Sequence, residues 1–180
     1  NIPLLNKGFH DINPVVCGWE DCEKGHFFGP AIREYYLIHF VMSGAGIYHR
    51  AKVTYNLSKG SIFLIYPHET TFYKADTENP WSYVWIGFTG ALALELLKKS
   101  GFSEECPVVY SPACSSIFKS MTEAKKMRQT AEIYLCGKIY ELFAHLEQES
   151  SLESRTALIY AKRAENFIQS NYMNNISISG

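Results

Sequence analysis

Two short segments rich in β-branched and aromatic residues, 61–66 and 81–88, constrain the fold of this chain most strongly. The second segment carries Trp81, Tyr83 and Trp85 at alternate positions. Because alternate side chains on a strand lie on the same face, one face of this strand carries three large rings with polar tips. Such a face suits a ring-shaped polar ligand such as a sugar. It is equally suited to the packed interior of a β-barrel.

Glycine and proline punctuate the first half of the chain, and the predicted strands cover residues 35–43, 47–57, 61–66 and 81–88. Many short strands with turns at this spacing predict an antiparallel sandwich or barrel. Beyond Gly87 the apolar pattern becomes helical, and the predicted helices cover residues 91–99, 115–127, 130–149 and 155–172. Strands followed by helices predict an α+β fold rather than a parallel α/β sheet.

The third predicted helix has apolar residues at spacings of three and four, which predicts one buried stripe. That stripe consists of Ile133, Cys136, Ile139, Tyr140, Phe143 and Leu146. A further apolar face, including Leu135 and Leu142, is available either for a second copy of the chain or for internal packing. The polar residues 147–154 are predicted to form a linker.

The composition limits the kinds of function that the chain can have. The 180 residues are 47% apolar and 19% charged, which suits one domain or slightly more with a well-formed core. The net charge of −1 offers no basic surface that could neutralise several phosphates, so these residues alone should bind DNA poorly.

Five cysteines at irregular spacing favour reduced thiols, and hence a cytoplasmic location, over a disulfide framework. No signal peptide is apparent, and no apolar run approaches the roughly 20 residues that span a bilayer, so we expect no membrane partner. The sequence begins with Asn1 and stops within a pattern, and we expect a longer protein.

The glycine and proline turns resemble those of the small β-barrel called the cupin. A catalytic cupin holds a metal with two histidines two residues apart, a nearby glutamate and a third histidine. Here Val41 stands where the partner of His39 should be, and the later histidine is absent. Cys17, Cys22 and His26 form only a loose zinc-like group without an apparent fourth ligand, and we expect idle thiols. We therefore predict no metal, no cofactor and no catalytic residue.

Three segments together resemble the N-terminal effector-binding domain of AraC-type transcription regulators: residues 26–46, 60–73 and 80–90. The resemblance is good over residues 8–100. It implies a cupin-like antiparallel barrel of the double-stranded β-helix type in residues 1–100, followed by a helical dimerisation segment in residues 101–150. Residues 151–180 resemble a linker and the first helix of a helix-turn-helix DNA-binding domain, the rest of which is missing.

The resemblance also implies candidate ligand-binding residues. In a sugar-responsive member of the family, the ligand meets positions that match Tyr73, Tyr83 and Trp85, although the family has a histidine in place of Tyr83. Another contact falls near Glu20. The family's arginine before Pro30 is replaced by glycine, and Arg33 is the nearest cation. We include His39 as a candidate, with a satisfied barrel histidine as the alternative, and we expect Trp81 to be core.

The resemblance implies a sensor that binds a small-molecule effector, expected to be a carbohydrate. It also implies a homodimer that reaches DNA only through the missing domain. One alternative is a metal-independent cupin epimerase or isomerase acting on a sugar, for which His39, or His68 near Glu69, is the candidate base. A second is an interaction module whose barrel is filled by side chains.

Overall fold

The computed structural model describes residues 1–171, which form two facing antiparallel sheets and a helical layer. The strands are β1 (Asn13–Asp21), β2 (Phe27–Ala31), β3 (Tyr36–Ser43), β4 (Ala45–Arg50), β5 (Val53–Ser58), β6 (Ser61–Ile65), β7 (Thr71–Ala75), β8 (Ser82–Thr89) and β9 (Val108–Tyr110). The α-helices are α1 (Ala93–Lys99), α2 (Ser115–Met121) and α3 (Ala131–Asn171). The strand order is β1-β8-β3-β6-β9 in one sheet and β2-β7-β4-β5 in the other.

The first sheet is buried on both faces. Its inner face packs on the second sheet through an aromatic layer that includes Tyr48, Phe63, Tyr73, Trp81 and Tyr83. Its outer face packs on the helices, where Phe40 stacks on Phe118 at a centroid distance of 5.0 Å. This double coverage explains why all five residues of β6 are buried and why the strand is a continuous run without polar alternation.

The α+β, cupin-type architecture predicted from the sequence is confirmed, with the two sheets facing each other as an open sandwich rather than a closed barrel. The prediction of one strand over residues 47–57 was wrong. Strands β4 and β5 form a hairpin there, with Arg50 opposite Val53. The turn between them has Ala51 at a φ of 53°, which is an uncommon conformation for a residue other than glycine. No glycine or proline marks this turn, so the pattern missed it.

The helical predictions need two corrections. The segment from residue 115 is α-helical only to Met121, and 3₁₀ turns follow it. Residues 130–149 and 155–172 are not two helices with a linker between them, because α3 continues through residues 147–154. These polar residues are mostly exposed, so no packing requirement interrupts the helix there. The domain boundaries stay a prediction, and the motif at residues 176–178 lies outside the described residues.

The buried face of α3 also differs from the predicted stripe. Leu135 and Leu142, expected on the free face, are fully buried against the sheet and the other helices. Ile133 and Tyr140, expected in the core, are 57% and 40% exposed. No helix within residues 1–171 is long and apolar enough to cross a membrane.

Candidate functional site

A cavity of about 440 Å³ lies between the two sheets. It is lined by all six residues that the sequence analysis selected: Glu20, Arg33, His39, Tyr73, Tyr83 and Trp85. The structure adds Asn1, Val16, Trp19, Phe28, Tyr35 and Leu37 to the lining. Its volume lies within the range of small-molecule sites, roughly 300–1,000 Å³.

An acidic corner of the cavity is created by the pairing of β1 with β8, which sets Glu20 opposite Tyr83. The Tyr83 hydroxyl donates a hydrogen bond to Oε2 of Glu20 at 3.1 Å. Burial strongly raises the pKa of Tyr83, and the neighbouring Tyr73 raises it further. Tyr83 therefore keeps its proton, and its hydroxyl and the Glu20 carboxylate together present hydrogen-bonding oxygens to the cavity.

Arg33 supplies the cationic side of the cavity from the loop between β2 and β3. Its Nη2 donates to the Tyr73 hydroxyl at 3.4 Å, and its guanidinium lies 4.6 Å from the centroid of the Phe28 ring. Burial raises the pKa of Tyr73 to about 12 although Arg33 lowers it in part, so this hydroxyl is also protonated. The other terminal nitrogen of Arg33, Nη1, is buried without a hydrogen-bond partner and is available to an acceptor on a ligand.

Trp85 forms an aromatic wall of the cavity because Gly18 lies beside it on the neighbouring strand. A Cβ atom at Gly18 would come within 2.4 Å of the Trp85 ring. Because Gly18 has no side chain, the Trp85 indole has room to lie against β1.

Trp81, by contrast, belongs to the core as expected, because its side chain is only 1% exposed and does not line the cavity. Its ring lies 6.0 Å from Phe63 and 5.8 Å from Tyr83, between the two sheets. Of the three rings at alternate positions, Trp81 packs in the core, whereas Tyr83 and Trp85 line the cavity.

His39 is at the floor of the cavity, 1% exposed and stacked on Phe63 at 4.5 Å. Its Nδ1 is buried without a hydrogen-bond partner. Burial, and secondarily the charge of Arg33, hold the pKa of His39 well below its usual value, so the imidazole is neutral at physiological pH.

We expect this buried histidine to make folding stability depend on pH. In the unfolded chain His39 takes up a proton below about pH 6.5, whereas in the folded protein it stays neutral to a lower pH. The unfolded state then binds more protons, so the free energy of unfolding falls as pH falls below 6.5, by up to about 1.4 kcal/mol per pH unit from this residue. When the pH is lowered from 7 to 5, the free energy of unfolding measured by urea denaturation should fall less for His39→Gln than for wild type. The exposed His68→Gln should follow wild type, and coincidence of all three profiles would contradict the assignment.

His68 and Glu69, the other base candidates of the enzyme alternative, do not form a pair at the cavity. The His68 ring is on the surface, 3.3 Å from Glu34. Glu69 accepts a hydrogen bond from Nε of Arg50 at 2.7 Å. Neither residue lines the cavity.

Three side chains of types that can hold a metal ion lie together, and one of them, Glu20, lines the cavity. The donor atoms of Glu20, Cys22 and His26 all lie within 4.8 Å of one another. Cys17, which the sequence analysis considered together with Cys22 and His26, is instead buried in the core between the first sheet and the helices.

The fold and the site define the class of the molecule: a cupin-type β domain with a ligand-sized cavity between its sheets and a helical layer on its outer face. Residues 13–161 match the model of the AraC-like ligand binding domain, and the chain belongs to this family. The predicted resemblance is therefore confirmed.

Two relatives and one solved structure illustrate the family. The Msm operon regulatory protein of Streptococcus mutans is 34% identical over 179 residues, which cover 94% of this chain and 64% of the relative. The raffinose operon transcriptional regulatory protein RafR of Pediococcus pentosaceus is 30% identical over 154 residues, covering 79% of this chain and 54% of the relative. The chain thus spans less than two thirds of either relative.

Among solved structures, an apo form of ToxT from Vibrio cholerae superposes with a TM-score of 0.54 at 12% identity, covering 78% of this chain and 58% of that one. At this level of identity the likeness bears on the fold alone.

Proposed function

We propose that the cavity binds a carbohydrate effector and that this binding controls how a longer transcription regulator attaches to DNA. The observation that carries the proposal is the combination of groups in one cavity. The Trp85 ring offers an apolar face to the C–H groups of a sugar ring. The Glu20 carboxylate accepts hydrogen bonds and the Arg33 guanidinium donates them, as the hydroxyls of a sugar require.

The relatives support both parts of the proposal. One is named as the regulator of a raffinose operon and another as the regulator of the Msm operon. We infer that this chain is the effector domain of a regulator of the same kind. DNA binding would belong to the remainder of the longer protein, since the net charge of −1 provides no phosphate-binding surface. A gel-shift assay with the longer protein, with and without effector, tests this part.

A thermal-shift screen of the purified chain against a panel of mono-, di- and trisaccharides tests the effector. A ligand that binds only the folded state at 100 times its dissociation constant adds about 2.7 kcal/mol, which raises the melting temperature by roughly 5–10 °C. We expect one or a few sugars of the panel to give such a shift. If no sugar does so while a non-sugar metabolite does, the proposed effector class is wrong.

Variants at Trp85 and Gly18 show whether a shift arises from this cavity. Trp85→Ala and Tyr83→Ala should each abolish the shift, because they remove the stacking face and the hydrogen-bonding corner. Gly18→Ala should also reduce it, since the new methyl group displaces the indole. In a Trp85→Ala background, Gly18→Ala should cause little further reduction of the thermal shift. The exposed Tyr110→Ala should leave the shift intact, and full retention in the cavity variants would place the site elsewhere.

We infer a regulatory rather than a catalytic role. The neutral, deeply buried His39 is a poor proton acceptor, and the other proposed base lies outside the cavity. Sugars that raise the melting temperature should be recovered unchanged by chromatography after prolonged incubation with the chain. Conversion that His39→Ala abolishes would establish the enzyme alternative instead.

We further propose that α3 contributes to a homodimer, through a different face from the one predicted. Ile133 and Tyr140 lie about two turns apart on the exposed side of α3 and border a groove of about 320 Å³. Phe9 and Ile12 form the opposite wall of the groove. Gly137, between the two side chains, has open space where a side chain would be and permits close approach of a second helix.

The oligomeric state tests this face directly. Ile133→Glu places a charge in the proposed apolar contact and should shift the chain to monomer in sedimentation velocity experiments. Val53→Glu is the matched control, because Val53 is a similarly exposed aliphatic residue on β5. A wild-type monomer, or a dimer unaffected by Ile133→Glu, would exclude this face.

A further inference from the structure

Three side chains with metal-binding atoms converge where β1 ends and the chain turns into β2. They are the Glu20 carboxylate, the Cys22 thiol and the His26 imidazole, and their donor atoms lie within 4.8 Å of one another. Oε1 of Glu20 is already 3.6 Å from Nε2 of His26. Within residues 1–171, no other group of three such residues converges in this way.

The backbone holds these side chains in place. Glu20 and Cys22 are two residues apart and extend from the same face of the chain, and the N–H of Cys22 donates to the carbonyl of Trp81 at 3.1 Å. The carbonyl of His26 accepts a hydrogen bond from the N–H of Ala75 at 2.8 Å. Both ends of the loop are therefore fixed to neighbouring strands, so the three donors are brought together by the sheet.

We propose that Glu20, Cys22 and His26 bind a zinc ion with one coordination position free for water or an oxygen of the effector. Thiolate, imidazole and carboxylate are the three ligand types that zinc takes, whereas Mg²⁺ and Ca²⁺ prefer oxygen alone. Zinc–ligand bonds of about 2.0–2.3 Å in a tetrahedron place the donor atoms roughly 3.3–3.8 Å apart. The pair Glu20–His26 meets this separation at 3.6 Å, and the Cys22 sulfur lies within 4.8 Å of both other donor atoms.

The proposed metal site and the cavity share one residue. Oε2 of Glu20 accepts the hydrogen bond from Tyr83, which leaves Oε1, on the side of His26, free for the ion. A hydrogen bond to the second oxygen of a metal-bound carboxylate orients it for coordination. Because Tyr83 and Glu20 also line the cavity, zinc and effector should influence each other's binding.

This proposal departs from the expectation from the sequence, which considered Cys22 and His26 together with Cys17 but predicted idle thiols and no metal. Cys17 is on β1 three residues before Glu20, so its side chain extends from the opposite face of the sheet. Glu20 takes its place as the third donor. The three side chains can hold zinc with water in the fourth position and without the effector, so zinc binding and sugar binding can each fail without the other.

The test uses the purified chain, stripped of metal by a chelator, and zinc alone. Competition with a chromophoric zinc chelator should show one ion per chain. Cys22→Ser and His26→Gln should each weaken binding by more than about 100-fold, beyond the 10- to 100-fold that loss of a supporting hydrogen bond costs. Cobalt in place of zinc should give a thiolate-to-metal charge-transfer absorption that disappears in Cys22→Ser. Cys106→Ser and His68→Gln, at exposed positions, should behave as wild type.

Metal-free melting temperatures show whether each variant is folded. Loss of one tightly bound ion in folded Cys22→Ser and His26→Gln, with both controls intact, establishes the site. The inference is overturned if the wild-type chain binds no stoichiometric zinc, or if either ligand variant retains it. It is also overturned if Cys106→Ser or His68→Gln loses binding to the same extent, because zinc then binds elsewhere on the surface.

Discussion

Trp81→Ala is expected to lower the free energy of unfolding by about 3–5 kcal/mol, the usual cost of truncating a fully buried aromatic residue. The Trp81 ring is 1% exposed and contacts the rings of Phe63 and Tyr83 between the sheets. Gly46 on β4 leaves the space that the ring occupies, since a Cβ there would lie 2.4 Å from it. For a chain of this length, the melting temperature should fall by roughly 6–20 °C in a calorimetric scan.

Two further variants separate the contribution of the buried Trp81 ring from that of its indole N–H and from the general effect of removing a tryptophan. Trp81→Phe keeps most of the ring and removes an indole N–H that is buried without an acceptor, so its cost should be clearly smaller. Trp19→Ala removes the same residue type from a position that is 40% exposed, where Nζ of Lys125 lies 4.8 Å from the ring centroid in a cation–π contact. That contact contributes about 0.5–1 kcal/mol. Equal losses in Trp81→Ala and Trp19→Ala would contradict the assignment of Trp81 to the core.

Arg33→Met should weaken effector binding about 10- to 150-fold while leaving the unliganded protein as stable as wild type. A hydrogen bond to a charged group contributes about 1.5–3 kcal/mol, which corresponds to that loss of affinity. Without ligand, Nη1 of Arg33 is buried and unpartnered, so the variant relieves a desolvation cost while it loses the long hydrogen bond to Tyr73 and the contact with Phe28. Calorimetric titration with a sugar that gives a thermal shift provides the affinity, and a thermal scan provides the stability.

Arg50→Met is the matched control, with the opposite expected result. Arg50 does not line the cavity, and it donates to Glu69 and stacks on Tyr66. Its loss leaves the partly buried Glu69 carboxylate without its partner, which should cost about 1–2 kcal/mol of stability with effector affinity unchanged. If Arg33→Met instead loses stability and retains affinity, as expected for Arg50→Met, then Arg33 is structural and the cation of the binding site lies elsewhere.

Much of the cavity could be predicted from sequence because strand geometry is simple. Once residues 81–88 are assigned to a strand, Tyr83 and Trp85 must share a face, and the structure places both in the cavity lining. The positions of Glu20 and Arg33 came from family resemblance, since nothing in their local pattern marks them. Phe28 and Trp19 were missed as lining residues. They lie on β2 and β1, and only the assembled sheets show that these strands border the cavity.

The helical segment was harder to predict, for a specific physical reason. Apolar residues on α3 occur at spacings of three and four on more than one side, so Ile133 and Leu135 both fit a helical stripe. Which stripe is buried depends on the surface it meets, and the outer face of the first sheet selects Leu135 and Leu142. The polar residues 147–154 suggested a linker, but α3 continues through them because an exposed stretch of helix accommodates polar side chains.

Local chain chemistry by itself determined strands β3, β6 and β8, the α+β class and the position of Tyr83 and Trp85 on one face of β8. These follow from backbone geometry with a period of two and from glycine and proline turns. Tertiary structure alone decided three matters: Trp81 is core while Trp85 lines the cavity, α3 buries Leu135 and exposes Ile133, and Glu20 joins Cys22 and His26. Each depends on contacts between residues distant in sequence, and such contacts are set by how the sheets and helices pack.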